Sequence, residues 1–208
     1  MSARDEVLGR IRTALGSDRP PVAEVVRDYR VRDERAADVL RDVLVDRLED
    51  YKAQVLRCAP DRIAGTVTAA LDAGLGTGWR PADVVVAPGL PPEWRPEGVT
   101  EDDGRPAVDL AASAAAVTGV AVAIAETGTL VLDGAAESGR RAVSLLPDCL
   151  VCVVTADQVV GGVPEGLARL DPLRPLTMIS GPSATSDIEL SRVEGVHGPR
   201  TLVVVLVA

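Results

Sequence analysis

Apolar residues in the first third of the chain recur at helical spacing. Ser2 followed by Asp5 is a variant of the capping box, and the apolar positions after it keep a helical period until Gly16. Asp33 is placed to cap a second, longer helix. The apolar stripe of that helix comprises Leu40, Leu44, Leu48, Tyr51 and Val55. A third helix is predicted from Asp61 to Ala73, so the chain is expected to begin with helices.

Farther along the chain, the pattern changes to short β-branched runs, which are typical of strands buried on both faces. These runs are Val84–Val86, Leu130–Leu132, Leu150–Val154, Leu176–Ile179 and Leu202–Val207. Helical or loop stretches separate them, which predicts an α/β fold with a mainly parallel sheet flanked by helices. We expect residues 1–58 to form an N-terminal helical segment packed on the core, and residues 59–208 to form the α/β domain.

Charge and composition argue against several classes of function. The chain carries 31 acidic and 22 basic residues, a net charge of −9, and aromatic residues make up 2%. No basic stripe is available for a phosphate backbone, and no aromatic platform for bases, so a nucleic-acid partner is not expected. The N-terminus lacks the apolar segment of a signal peptide, and no stretch approaches the roughly 20 apolar residues of a membrane span. These features indicate a cytoplasmic protein without a membrane span.

The three cysteines do not form the pattern of a disulfide framework or a metal cluster. Cys149 and Cys152 have C-x-x-C spacing, but they lie in a strand-like run, where residues three apart point to opposite faces. We therefore interpret both as core residues. No iron–sulfur motif is present, and no glycine fingerprint of nicotinamide or flavin binding follows a strand. The sequence predicts no cofactor and no bound metal.

Three polar blocks interrupt the apolar runs at their ends, where open α/β sheets usually hold ligands. The first block is Glu126-Thr127-Gly128-Thr129. A carboxylate partly removed from water in such an apolar stretch is suited to act as an acid, a base or a nucleophile. The alternative is that Glu126 caps backbone amides or pairs with Arg140 or Arg141.

The second block runs from residue 180 to residue 189, directly after a predicted strand. Its polar and glycine positions include Gly181, Ser183, Thr185, Asp187 and Glu189. A glycine-led loop rich in hydroxyl groups exposes backbone N–H groups, which suits a carboxylate or a phosphate. The alternative is a capped helix start with Ser183 or Thr185 as the cap, and both interpretations can hold together.

The third block contains His197, the only histidine, between glycines just before the last predicted strand. This position favours a side chain that reaches into a crevice as an acid or a base, although a lone histidine is more often structural. It would form an acid/base pair with Glu126 if the fold brings the two together. Arg140, Arg141 and Ser144 offer cationic or hydroxyl contacts for an organic acid, and exposed helix arginines are the alternative.

Taken in order, these blocks resemble the signatures of the LUD-domain family of lactate-utilization proteins, in particular its protein C branch (LutC, YkgG-like). The resemblance includes Glu126 to Thr129, Gly139-Arg140 with Ser144 to Pro147, the Gly181 to Glu189 string, and Gly195 to Pro199. It implies a fold similar to the NagB/RpiA/CoA-transferase group. It also implies a role in a three-protein system that oxidises L-lactate to pyruvate, with the iron–sulfur lactate utilization proteins A and B as partners.

The resemblance also suggests roles for individual residues. Glu126 before Thr-Gly is similar to the Glu-Asn-Gly element of class I CoA transferases, with Thr in place of Asn, which implies a reactive carboxylate. We therefore take Glu126, His197 and Asp187 as candidate catalytic residues. The candidate residues for binding an anionic substrate are Thr127, Gly128, Thr129, Arg140, Ser144, Gly181, Ser183, Thr185 and Glu189.

Several functions remain open from the sequence. The first is a non-redox partner subunit that binds the iron–sulfur proteins and a small organic acid. The second is an independent enzyme of CoA-transferase or isomerase type that acts on a small anionic metabolite. A regulatory protein that binds a ligand without partners or turnover is the third.

Overall fold

The computed structural model describes residues 2–16, 23–185, 193–194 and 197–208. The helices are α1 (Ala3–Leu15), α2 (Ala37–Asp50), α3 (Ile63–Leu75), α4 (Ala107–Ala111), α5 (Arg141–Leu145) and α6 (Val163–Ala168). The strands are β1 (Gln54–Cys58), β2 (Val84–Val86), β3 (Thr100–Glu101), β4 (Ala115–Gly119), β5 (Val122–Ile124), β6 (Thr129–Leu132), β7 (Cys149–Thr155), β8 (Val159–Val160), β9 (Thr177–Ile179), β10 (Ala184–Thr185), β11 (Val193–Glu194) and β12 (Thr201–Val207). Within these ranges, no helix has both the length and the apolarity that crossing a bilayer requires.

The main sheet has six strands in the order β1-β12-β7-β4-β2-β3. Every neighbouring pair in it is parallel. The central strands β7 and β12 are built from Val, Leu and Cys and are buried over nearly their whole length, because helices or a second sheet cover both faces. The predicted α/β fold with a mainly parallel sheet is confirmed.

A second sheet of four strands, in the order β8-β5-β6-β9, packs on one face of the main sheet. It is mixed: β6 runs antiparallel to both β5 and β9, whereas β8 runs parallel to β5. Leu44 of α2, Leu130 of β6 and Leu150 of β7 belong to one buried cluster between these layers. The runs predicted at 130–132 and 176–179 are therefore strands, but they lie outside the parallel sheet. On the opposite face, α3 covers the main sheet.

The N-terminal region departs from the expectation of helices only. The capping box of Ser2 and Asp5 is present, and α1 ends before Gly16 as predicted. The second helix ends at Asp50, so the stripe from Leu40 to Leu48 is correct, whereas residues 54–58 form the edge strand β1. Asp33 does not cap α2; its carboxylate accepts hydrogen bonds from Arg35. The prediction from helical periodicity was wrong for Val55, because over a few residues an apolar position in an edge strand fits the helical and the strand period equally well.

The two cysteines of the C-x-x-C sequence lie on opposite faces of β7, as predicted. Cys149 belongs to the cluster under α3 and Cys152 to the cluster under α2. Burial raises the pKa of each thiol to about 12. Thiolate, and not thiol, is the reactive form, so both should be inert in the folded protein.

We expect a disulfide reagent to modify one thiol per chain, Cys58, in the native protein at about pH 8. Cys58 is the partly exposed member of the three. The number of thiols that react should rise to three after unfolding in guanidinium. Rapid modification of all three thiols in the native protein would contradict the buried placement of β7.

Candidate functional site

Residues of the second and third sequence blocks line one cavity of about 360 Å³, which we call the 180/197 cavity. Its polar side chains come from Arg141, Thr177, Ser180, Ser183 and His197. Apolar side chains form the rest of the lining, chiefly Leu145, Leu150, Leu176, Met178, Ile179 and Leu202. A mostly apolar concavity with a few polar groups on it is the usual form of a small-molecule site.

The cavity lies at the amino-terminal ends of the central strands. Leu150 and Leu202 lie opposite each other in the register of β7 and β12, and each is the second residue of its strand. Open α/β sheets usually bind ligands beyond the carboxyl ends of their strands. The cavity therefore differs from that general expectation: His197 comes just before β12, at the amino-terminal end of that strand.

Two hydrogen bonds join the loop after β9 to the loop before β12. The backbone N–H of Ser183 donates to the carbonyl of Pro199 at 2.8 Å, and the backbone N–H of His197 donates to Ser183 Oγ at 3.1 Å. Ser183 Oγ accepts the second bond, so its own O–H remains able to donate into the cavity. The structure thus brings Gly181, Ser183 and His197 together, although they come from separate sequence blocks.

Gly181 has a structural reason to be glycine. Its φ is +86°, and a Cβ at this position would lie 2.6 Å from the carbonyl oxygen of Tyr51. Gly128 is similar, with a φ of +57° and a Cβ position 2.8 Å from Arg47 Cβ. Both glycines allow a loop to pack directly on the end of α2, so at these two positions the residue type reflects close packing.

Of the two adjacent arginines, Arg141 lines the cavity and Arg140 does not. Arg140, which we predicted to bind the substrate, donates to both carboxylate oxygens of Asp102, at 2.7 and 2.9 Å. The guanidinium of Arg141 is exposed, lines the cavity, and makes no ion pair with any residue that the structure describes. The Arg-Arg sequence indicated a cationic group at this position. Which of the two arginines points to the cavity depends on where α5 begins, and α5 begins at Arg141.

Ser144 is likewise not available to a ligand. Its side chain is buried, and its Oγ donates to the carbonyl of Arg141 within α5. Asp187 and Glu189 lie outside the described residues, as does the side chain of Thr185. Their predicted roles remain predictions.

A chain of hydroxyl groups connects the first block to the cavity. Thr127 Oγ1 and Thr129 Oγ1 are 2.7 Å apart, and Thr129 Oγ1 and Ser180 Oγ are 2.8 Å apart. Thr129 is buried, and it lies where β6 begins, next to the end of β9. These contacts orient Ser180 at the cavity wall, whereas Thr127 and Thr129 do not line the cavity themselves.

Glu126 lies at the end of β5 and is engaged by the N-terminal region. Arg30 Nη2 donates to both of its carboxylate oxygens at 2.8 Å, and the Glu126 side chain is 51% exposed. About half of the Glu126 side chain is thus covered, and its partner is Arg30, so the alternative pairing with Arg140 or Arg141 is wrong. Glu126 does not line the 180/197 cavity, whereas His197 does, and so the structure does not join them in one site.

Arg30 itself belongs to an anchored extended segment. Asp33, whose side chain is 3% exposed, pairs with Arg30 and Arg35, and the hydrogen bonds from Arg35 lower the pKa of Asp33 to about 2. A Cβ on Gly161 would lie 2.0 Å from Asp33 Cβ, so the segment packs directly on the turn after β8. Nothing in the local sequence around Glu126 indicated this contact, because the two residues are 96 positions apart.

Glu137 is a half-buried carboxylate that the sequence did not single out. It lies over the last residue of β4, since a Cβ on Gly119 would be 2.5 Å from Glu137 Cγ. Burial, together with repulsion from Asp157 and Asp133, raises the pKa of Glu137. In the sequence, only the turn-rich stretch from Asp133 to Gly139 could have drawn attention to this residue. The Glu137 carboxylate lies at the carboxyl end of the main sheet, away from the cavity.

The sequence profile of the LUD domain matches residues 89–207, a range that contains every residue of the 180/197 cavity. A protein named lactate utilization protein C from Deinococcus radiodurans is 41% identical over an alignment of 212 positions, which covers 99% of this chain and 95% of that protein. A protein of the same name from Geobacillus kaustophilus is 34% identical over 121 residues, covering 51% of this chain and 50% of that protein. The similarity to the Deinococcus protein therefore extends over nearly the whole chain.

A solved structure leads to the same family. The crystal structure of a DUF162 family protein from Deinococcus radiodurans superposes with a TM-score of 0.69 at 36% sequence identity. The match covers 84% of this chain and 99% of that chain. The two proteins therefore share the fold over most of this chain.

Proposed function

Since this chain belongs to the LUD domain family, we propose that it serves lactate utilization as a non-redox component that binds a small organic acid in the 180/197 cavity. The pathway is supported by the name of the relative that aligns over nearly the full length. Acid binding is supported by one observation: Arg141, which makes no ion pair with a described residue, lines a single cavity together with His197 and two serines.

The geometry suits a carboxylate on electrostatic grounds. The guanidinium of Arg141 presents N–H donors in a fork that matches a carboxylate. His197 lies on the same cavity, and its imidazole can donate a further hydrogen bond. In a chain with a net charge of −9, binding an acid requires such a local concentration of donors, because the overall field repels anions.

The hydroxyl groups of Ser180 and Ser183 would bind the substituent on the carbon atom next to the carboxylate. Ser183 Oγ accepts from the backbone of His197 and donates to no described residue, and Ser180 Oγ is hydrogen-bonded to Thr129 Oγ1. A 2-hydroxy or 2-oxo acid carries an oxygen atom within reach of a second donor once its carboxylate is bound. The cavity therefore fits the chemical class to which lactate and pyruvate belong.

The partners remain part of the proposal. The resemblance implies the iron–sulfur lactate utilization proteins A and B, which would carry the electrons while this chain holds an acid. An independent enzyme of CoA-transferase type is the alternative, and it needs the Glu126 carboxylate to be free of Arg30. That enzyme would lose its turnover in a Glu126→Gln variant, whereas acid binding in the 180/197 cavity should be unaffected by this change.

We expect an Arg141→Gln variant to bind L-lactate or pyruvate about tenfold to a hundredfold more weakly than the wild type, because a hydrogen bond to a charged group is lost. Titration calorimetry on the purified proteins measures this directly. Arg62→Gln is the matched control, since Arg62 is also exposed but precedes α3 on the other face of the sheet. Equal affinities of the wild type and Arg141→Gln would contradict acid binding in the 180/197 cavity.

A further inference from the structure

Building on the proposed function, we propose that the 180/197 cavity takes a carboxylic acid with an aliphatic tail, about four to six carbons in all, in preference to lactate. The cavity measures about 360 Å³, within the range of sites that hold ligands much larger than a three-carbon acid. The proposal names the ligand class of the same site and leaves the role in lactate utilization unchanged.

Helix α5 separates the charge from the apolar wall by one helical turn. Arg141 and Leu145 both line the cavity, and they are four residues apart on the same face of α5. Four residues correspond to a rise of about 6 Å along the helix. The methyl carbon of lactate lies only about 2.5 Å from its carboxyl carbon, so a carboxylate held at Arg141 would leave the wall beyond Leu145 uncovered.

The floor and the far wall of the cavity are apolar. Leu150 and Leu202 are almost completely buried and lie side by side on the adjacent strands β7 and β12. Leu176 and Ile179 are partly exposed and line the same cavity, and Met178 at its rim is 51% exposed. An aliphatic tail placed against these side chains would remove both surfaces from water, which is favourable in proportion to the area covered.

The expected size of the preference follows from the transfer of methylene groups out of water. Each added CH₂ should raise the affinity about twofold to fourfold, the upper value applying to complete burial. The test uses titration calorimetry of the wild-type chain with L-lactate, 2-hydroxybutyrate and 2-hydroxyhexanoate at one pH. Hexanamide, which has the tail but no negative charge, is included as a ligand control.

The inference predicts that affinity rises along this series and that hexanamide binds much more weakly than 2-hydroxyhexanoate. Binding of lactate with no gain for the longer acids would overturn the inference and leave the proposed function intact. Failure of every acid to bind would instead overturn acid binding in the cavity, and the inference with it. Equal binding of hexanamide and 2-hydroxyhexanoate would show a non-specific apolar contact and would also overturn it.

A pair of variants locates the effect. Met178→Ser removes an apolar group at the cavity rim, whereas Leu173→Ser removes one that is 93% exposed and does not line the cavity. The gain from lactate to 2-hydroxyhexanoate should fall at least twofold in Met178→Ser and stay as in the wild type in Leu173→Ser. Unchanged gains in both variants, or equal losses in both, would contradict the placement of the tail.

Discussion

The Arg140→Leu variant should lose about 3 kcal/mol of unfolding free energy at neutral pH, because it leaves a buried carboxylate without its partner. The side chain of Asp102 is 3% exposed, and Arg140 occupies both of its oxygen atoms. A merely catalytic or ligand-binding arginine would not produce this loss. Urea denaturation followed by circular dichroism measures it.

The loss should depend on pH with a defined sign. The hydrogen bond from Arg140 holds the pKa of Asp102 below its usual value of 3.8 in the folded protein. The stabilisation by the pair is therefore complete above 3.8 and disappears as the pH falls through the lowered folded pKa. The difference between wild type and Arg140→Leu should therefore shrink as the pH is lowered from 3.8 through the folded pKa of Asp102.

Two variants serve as controls for this prediction. Arg80→Leu breaks an ion pair with Asp83 in which the arginine is 79% exposed, and we expect no measurable loss of stability. Replacing Asp102 and Arg140 together by leucine should recover much of the stability that Arg140→Leu loses. Equal stability of wild type and Arg140→Leu would contradict a structural role for this pair.

The second large effect is expected for Gly181→Ala, which should lose about 2–4 kcal/mol of stability and most of its affinity for organic acids. About half of the loss comes from the φ of +86°, which L-residues adopt unfavourably, and the rest from overlap with the carbonyl oxygen of Tyr51. The loop that carries Ser183 must then move away from α2. Thermal unfolding and titration with lactate measure the two consequences separately.

Gly104→Ala is the matched control for backbone strain. Gly104 has nearly the same φ, +88°, but no heavy atom lies within 4 Å of its Cβ position. It should show the strain alone, about 1–2 kcal/mol, with normal binding of acids. Similar losses of stability and affinity in both variants would mean that the contact with Tyr51 does not position the loop.

Much of the fold could be predicted from the sequence because its signals are local. The β-branched runs at 84–86, 150–154 and 202–207 are strands of the parallel sheet, and the opposite orientations of Cys149 and Cys152 follow from strand geometry alone. The edge strand β1 was mistaken for the continuation of α2, since a five-residue strand with an exposed face carries too few positions to separate the two periods.

The candidate site was less predictable, because it depends on contacts between residues far apart in the chain. The loop after β9 and the histidine before β12 were recognised separately, and the structure brings them together through Ser183. The role of Glu126 could not be inferred, since its partner Arg30 comes from an extended segment without periodicity. The choice between Arg140 and Arg141 depends on the buried Asp102, which precedes Arg140 by 38 positions.

The most direct test of the central claim is growth on L-lactate of a bacterial host that lacks its own relative of this protein. The host is complemented with the wild type, Arg141→Gln or Arg62→Gln at equal soluble levels, together with the proposed iron–sulfur partner proteins. We predict that the wild type and Arg62→Gln restore growth and that Arg141→Gln does not. Full growth with Arg141→Gln, or no growth with any of the three, would contradict a role in lactate utilization exerted through the 180/197 cavity.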